Sequence, residues 1–145
     1  MNENIMPEYS KDTVINFENG IAGFEEYRKF IVFPFEEDND AVFYLKSEDI
    51  DGPGFVIMNP FYLVPDYKPA LTAEQIKELR LTEKSQVAYF VIAVVNENMD
   101  DSTVNMRCPV VVNVDEKIGR QVILDAENYG FRERLGDLTL EEEAK

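Results

Sequence analysis

The chain has 145 residues and a net charge of −15, with 13 acids against 4 bases in residues 1–60 and 16 against 10 in the remainder. This length suits one domain with one core, burying about 70% of the surface that the unfolded chain exposes. Acidity spread over both halves argues against direct binding of RNA, DNA or anionic membrane, since all of these carry negative charge. A basic partner protein would instead be attracted, by a steering that salt weakens. Solubility alone is the competing explanation of the charge.

Residues 1–12 have weak patterning and read as a frayed or loose edge strand. Thr13-Val14-Ile15-Asn16-Phe17 reads as a strand leading into a turn at Asn19-Gly20, where both residues tolerate positive φ, with Gly23 a second flexible point. Lys29-Phe30-Ile31-Val32-Phe33 is a second strand closed by Pro34. The acidic cluster Glu36-Glu37-Asp38-Asn39-Asp40 follows as a solvated loop. Ala41 to Lys46 is a third strand, and Asp51-Gly52-Pro53-Gly54 is the strongest turn signal in the chain. Phe55-Val56-Ile57-Met58 is apolar without alternation, which suits a strand buried on both faces. Pro60, Pro65 and Pro69 exclude a long helix between Asn59 and Pro69 and argue against a central strand there.

One helix is expected, from about Ala73 to Arg80. Thr72 is its N-cap, Gln75 completes a capping box, and Ile76 and Leu79 share a face. At about two turns it is short, and the expectation is that it plugs one end of the sheet. Val87 to Val95 is a long β segment rich in β-branched residues, followed by the polar loop Asn96–Asp101. Thr103 to Val114 is a further β segment interrupted by Pro109. Asp115 to Gly119 turns the chain, and Arg120 to Leu124 returns as the last strand. Seven or so short strands and one short helix predict a mainly β, single-domain antiparallel barrel or sandwich. Its extent is residues 1–135, with 136–145 a frayed acidic tail.

Chemistry-bearing residues are sparse. The sequence has no histidine, which removes the commonest general base, the usual metal ligand and the Ser-His and Cys-His pairs. The single cysteine, Cys108, lies in an apolar run and reads as a buried inert thiol; alone it builds neither an intrachain disulfide nor a cysteine-rich zinc site. No glycine-rich phosphate loop is present, and no cofactor is expected. Asp66, Asp100 and Asp101 are the best-placed acids for a two-carboxylate hydrolase, but loop acids are ordinarily just solvated. Asp38-Asn39-Asp40 lacks the glycine and distant glutamate of a helix-loop-helix calcium site. The expectation is no enzyme and no resident metal. Met1-Asn2-Glu3-Asn4 has no basic residue and no apolar stretch behind it, unlike a signal peptide, and no run approaches the ~20 apolar residues of a membrane-spanning helix. Together these predict a cytoplasmic protein.

At Phe17-Glu18-Asn19-Gly20-Ile21-Ala22-Gly23-Phe24-Glu25 the sequence resembles the FliW family, which carries Phe-x-x-Gly-Ile/Leu-Pro-Gly-Phe-Glu near its start. Further blocks follow in the family's order. They are Phe33-Pro34 with Leu45-Lys46-Ser47; Phe55 to Phe61 continuing to Pro65-Asp66-Tyr67; Thr103 to Asn113; and Arg120 to Leu124 with Tyr129 and Arg132 beyond. The resemblance spans about residues 13 to 135. Ala22 stands where the family usually has proline, Asn59 where aspartate is common, Lys46 where glutamine is common, and Glu133-Arg134 where His-Pro is usual.

The resemblance implies a small β-barrel-like protein of flagellated bacteria, monomeric when free. It implies two protein partners: CsrA, a small RNA-binding translational repressor, and cytoplasmic flagellin. Flagellin binding would free CsrA to repress flagellin translation, and flagellin secretion would let the protein sequester CsrA again. A flagellin chaperone without translational control is the first alternative, and a hydrolase using Asp66 or Asp101 the second. The candidate partner-binding residues are Asn59, Pro60, Phe61, Tyr62, Asp66, Tyr67, Asn105 and Met106. Phe61, Tyr62 and Tyr67 are proposed as anchors because prolines hold their segment out of regular structure. Capping of the core by the same aromatics is the competing reading, and the sequence alone does not separate the two.

Overall fold

The computed structural model describes residues 14–36 and 40–138. The expected N-terminal edge strand, Asp38-Asn39 and the acid run Glu141-Glu142-Glu143 lie outside them. Nine strands occur among the described residues: β1 Val14–Asn16, β2 Lys29–Pro34, β3 Val42–Ser47, β4 Gly54–Met58, β5 Val87–Val94, β6 Thr103–Val104, β7 Val110–Asn113, β8 Ile118–Gln121 and β9 Glu133–Arg134. They pair in the order β4-β3-β2-β1-β8-β7-β5-β6-β9, and β4 also pairs β5. That pairing closes a barrel of seven strands, leaving β6 and β9 as an extension along one edge. Closure removes the open sheet edges that invite aggregation. The pairings are antiparallel except β1 with β8, which run parallel at Asn16↔Ile118.

The sequence explains why the sheet is apolar on both sides. Along β5, Ala88 and Phe90 face the barrel interior with Ile15, Phe17, Phe30, Val32, Phe43, Leu45, Ile57, Val110 and Val112. The alternate residues Val91 and Ala93 face outward into a second cluster with Tyr67, Leu79, Val104, Met106, Val111, Leu124, Leu135 and Leu138. Residues two apart in a strand share a face, so an unbroken apolar run packs on both. β4 behaves likewise: Ile57 lies inside, while Val56 and Met58 pack against the outer cluster. The two clusters share one sheet.

The helices depart from expectation. A short helix, α1 Pro60–Leu63, occupies the proline-rich segment. Proline at the first helical turn costs nothing, because that N–H has no partner within the helix, and the Asn59 side chain caps it by accepting from the Phe61 N–H at 3.0 Å. The expected helix is α2, Ala73–Glu78, with the capping box formed. It stops before Arg80 because that residue adopts φ 55. The Arg80 and Leu81 N–H groups then donate back to the Lys77 and Ile76 carbonyls, an αL termination. Nor does α2 plug a barrel end. Leu79 inserts into the outer cluster beside Val111 and Ile118, and buried Asn113 of β7 donates to the Leu79 and Arg80 carbonyls at 2.8 and 3.2 Å.

The stretch read as one β segment from Thr103 to Val114 is two strands, β6 and β7. Between them the chain turns around Asn105, whose Oδ1 accepts from the Cys108 N–H at 3.0 Å. The last strand expected at Arg120–Leu124 instead starts at Ile118 and ends at Gln121. The expected boundary at residue 135 falls within a helical turn over 135–138, where Leu138 is buried.

Candidate docking surface

Seen from the residues upward, the sequence-predicted contact segment is a lid on the outer cluster. Phe61 of α1 meets Tyr67 and Tyr89 edge-to-face, with ring centroids 5.7 and 5.9 Å apart. Tyr67 in turn meets Tyr129 at 4.7 Å. Such edge-to-face pairs place a positive ring edge on a negative ring face. The Tyr67 hydroxyl donates to the Met106 carbonyl at 2.6 Å, and the Tyr129 hydroxyl accepts from the Lys68 N–H at 2.8 Å. Burial pushes the Tyr67 hydroxyl well above its ordinary value, and Tyr89 moves the same way for the same reason.

The eight candidate residues therefore divide. Tyr67 and Met106 are buried, Tyr67 retaining 3% exposure, so they lie beneath the outer face of the segment. Asn59, expected on an exposed segment, is buried as the α1 cap, and Pro60 is buried behind it. Phe61 and Asn105 are partly buried, both with side chains engaged inward. Tyr62, at 51% exposed, and the exposed Asp66 are what the segment presents to solvent.

Asp101 is held by Arg134 at 3.0 Å, Asp66 lies in a different loop, and burial raises the Cys108 thiol away from reactivity. Among the described residues, no group of three or more His, Cys, Asp or Glu side chains is placed to hold a metal ion. A cleft of about 170 Å³ is lined by Glu18, Asn19, Glu78 and Arg120. Its arginine is already bound to Glu78 at 3.2 Å and to Asn19 at 2.7 Å. No helix among the described residues is long and apolar enough to cross a membrane.

The residues that carry the family resemblance have definite structural work. Gly20 sits at φ 68, where a Cβ would lie 2.5 Å from the Glu25 Cα; only glycine fits. Phe17 and Ile21 are buried in the barrel, and Gly119 lets the Phe17 ring lie against the backbone. The departures are accommodated too. The Ala22 N–H donates to Gln121 at 3.2 Å, a bond that proline lacks the hydrogen to make. The Lys46 ammonium donates to the Ser47, Asp49 and Gly52 carbonyls. Sequence reasoning passed over the exposed Phe24, Val94, Val95 and Met99. In the run Val87–Val95, Val94 is the last paired residue and both Val94 and Val95 are exposed, and an apolar run that outlasts its burial is the signal for these two; Phe24 and Met99 stand in loops.

A family model described as FliW protein matches residues 3–135. Relatives named flagellar assembly factor FliW are 38% identical over 128 residues in Clostridium botulinum (strain Okra), covering 88% of this chain and 89% of the relative. In Caldicellulosiruptor saccharolyticus the identity is 38% over 125 residues, covering 86% and 81%. The crystal structure of a flagellar assembly factor FliW superposes with a TM-score of 0.78 at 35% identity, covering 88% of this chain and 89% of that one. The chain belongs to the FliW family, whose relatives here are named flagellar assembly factors.

Proposed function

We propose that this chain is a non-catalytic flagellar assembly factor that acts in the cytoplasm, as a monomer when free. It works as a partner switch, binding CsrA to relieve translational repression and binding flagellin in exchange. The observation that carries the reading is family membership over nearly the whole chain. The net charge of −15 supports it, since it suits a basic RNA-binding protein. The contact assigned to the outer face is Tyr62 and Asp66, with Asn59, Pro60, Phe61, Tyr67, Asn105 and Met106 holding them in place. Tyr62 is the anchor, because an exposed aromatic on a segment stiffened by proline and a cap loses little freedom on binding.

A pull-down from a flagellated bacterium with this chain as bait tests the reading. Recovery of CsrA and flagellin in separate complexes is expected. A ternary complex would break the switch. Recovery of flagellin alone would favour a chaperone without translational control.

A further inference from the structure

The barrel end where β4 begins carries a second apolar surface. Val56 pairs with Ala93, so one step further Phe55 and Val94 stand opposite each other, on the interior side of the sheet. Phe24, from the loop joining β1 and β2, lies edge-on over Phe55 with centroids 5.3 Å apart. Phe24 nevertheless remains 39% exposed and Val94 62%, while Val95, next in the chain, turns to the other face.

The loops that display these side chains are fixed by hydrogen bonds. Between β5 and β6, the Asn96 N–H donates to Ser102 Oγ at 2.8 Å and its side chain to the Asp101 carbonyl at 2.9 Å. The Asp100 N–H donates to the Asn98 side chain, and the Leu135 N–H to the Ser102 carbonyl. On the other side, Phe24 bridges back to Ile21, and Glu25 accepts from the Gly23 N–H. Apolar side chains held on such loops have little freedom left to lose on binding.

The surroundings are acidic. Glu25 and Glu26 follow Phe24, while Glu97 and Asp100 lie in the loop after β5, and all four are exposed. Glu48, Asp49 and Asp51 lie on the β3–β4 loop at the same end, with Ile50 at its tip 90% exposed. Arg28, Lys29 and Lys46 are bases at this end, and the Lys46 ammonium is turned into the loop carbonyls; Arg120 and Arg80 reach the β1–β2 loop by binding Asn19 and Glu18. Asp101 and Arg134 bind each other.

We propose that Phe24 and Val94, on either side of the half-buried Phe55, form a second docking surface, at the opposite end of β4 from Tyr62, for a partner-protein segment whose apolar side chains are flanked by lysine and arginine. The apolar residues supply the anchor, and the acidic surround selects for basic flanks. This goes beyond the reading of the α1 surface and does not depend on it.

The test is amide chemical-shift mapping on the ¹⁵N-labelled full chain with three synthetic helical peptides. One alternates leucine and lysine faces, one replaces lysine by glutamate, and one replaces leucine by serine. The leucine–lysine peptide should shift Phe24, Phe55 and Val94 more than the leucine–glutamate peptide does, and the double variant Phe24→Ser, Val94→Ser should weaken it at least about fivefold while keeping a folded spectrum. Equal shifts from the serine–lysine peptide would reduce the surface to charge alone. Shifts centred on Tyr62 and Asp66, no shifts at all, or equal shifts from neutral phosphatidylcholine vesicles would each overturn the proposal.

Discussion

The Tyr67 hydroxyl reaches 2.6 Å to the Met106 carbonyl, and both residues are buried. This bond ties the proline-rich segment after β4 to the turn between β6 and β7. Tyr67→Phe leaves that carbonyl without a partner, which costs about 1–3 kcal/mol. Tyr67→Ala also opens a cavity and should cost about 3–5 kcal/mol. Urea unfolding measures both. An unchanged midpoint for Tyr67→Ala would return Tyr67 to the surface.

The same tyrosine sets a pH dependence. Its folded value is raised by burial above the ordinary 10.0. The unfolded chain therefore loses this proton first as pH rises. Stability should be unaffected by this group below about pH 10, then fall as pH climbs toward the raised folded value. Tyr67→Phe should flatten the fall, leaving the shares of Tyr89 and the Cys108 thiol, both raised by burial, and of Tyr27, raised by Glu26 beside it. Unfolding midpoints measured from pH 8 to 11 in both proteins provide the check.

Tyr62 behaves oppositely under this account. Its side chain is half exposed on α1, so Tyr62→Ala should change stability by about 0.5 kcal/mol or less. It should weaken one partner by about 2 kcal/mol, or roughly thirtyfold. Calorimetric titration against purified CsrA and flagellin reads that loss, and unchanged affinity for both would remove Tyr62 from the contact.

Two substitutions probe the end of α2. Asn113→Leu removes the donor to the Leu79 and Arg80 carbonyls and the acceptor for the Glu116 N–H, and should destabilise by about 2–3 kcal/mol. Arg80→Gly relieves a left-handed non-glycine residue and should stabilise by about 1 kcal/mol. It also gives up the Glu18 ion pair, which at 3.7 Å between exposed side chains contributes little. Thermal melts with opposite shifts are the expected result.

The strands were legible because β-branched runs and turn residues report local backbone preference. The β architecture, Cys108 burial and the Thr72–Gln75 capping box could all be read this way. α1 was hidden because three prolines read as helix breakers, although Pro60 at the first turn with Asn59 before it is a helix start. The end of α2 was misplaced because arginine gives no local sign of positive φ. The candidate contact residues divide between buried and exposed for a different reason. Tyr62 and Tyr67 have the same chemistry and lie on the same segment, and only the three-dimensional packing of Phe61, Tyr89 and Tyr129 puts one inside and leaves the other out. The barrel-end face of Phe24 and Val94 gives no local sign, because Val94 closes a strand-like run past the point where the sheet buries it.

The partner switch itself is tested most directly by titrating flagellin into a preformed complex of this chain with CsrA, followed by sedimentation velocity at low and at physiological salt. Free CsrA should be released in proportion to added flagellin, with a complex of this chain and flagellin appearing, and CsrA should associate more slowly at the higher salt. A stable ternary species, or no complex with CsrA at either salt, would contradict the account.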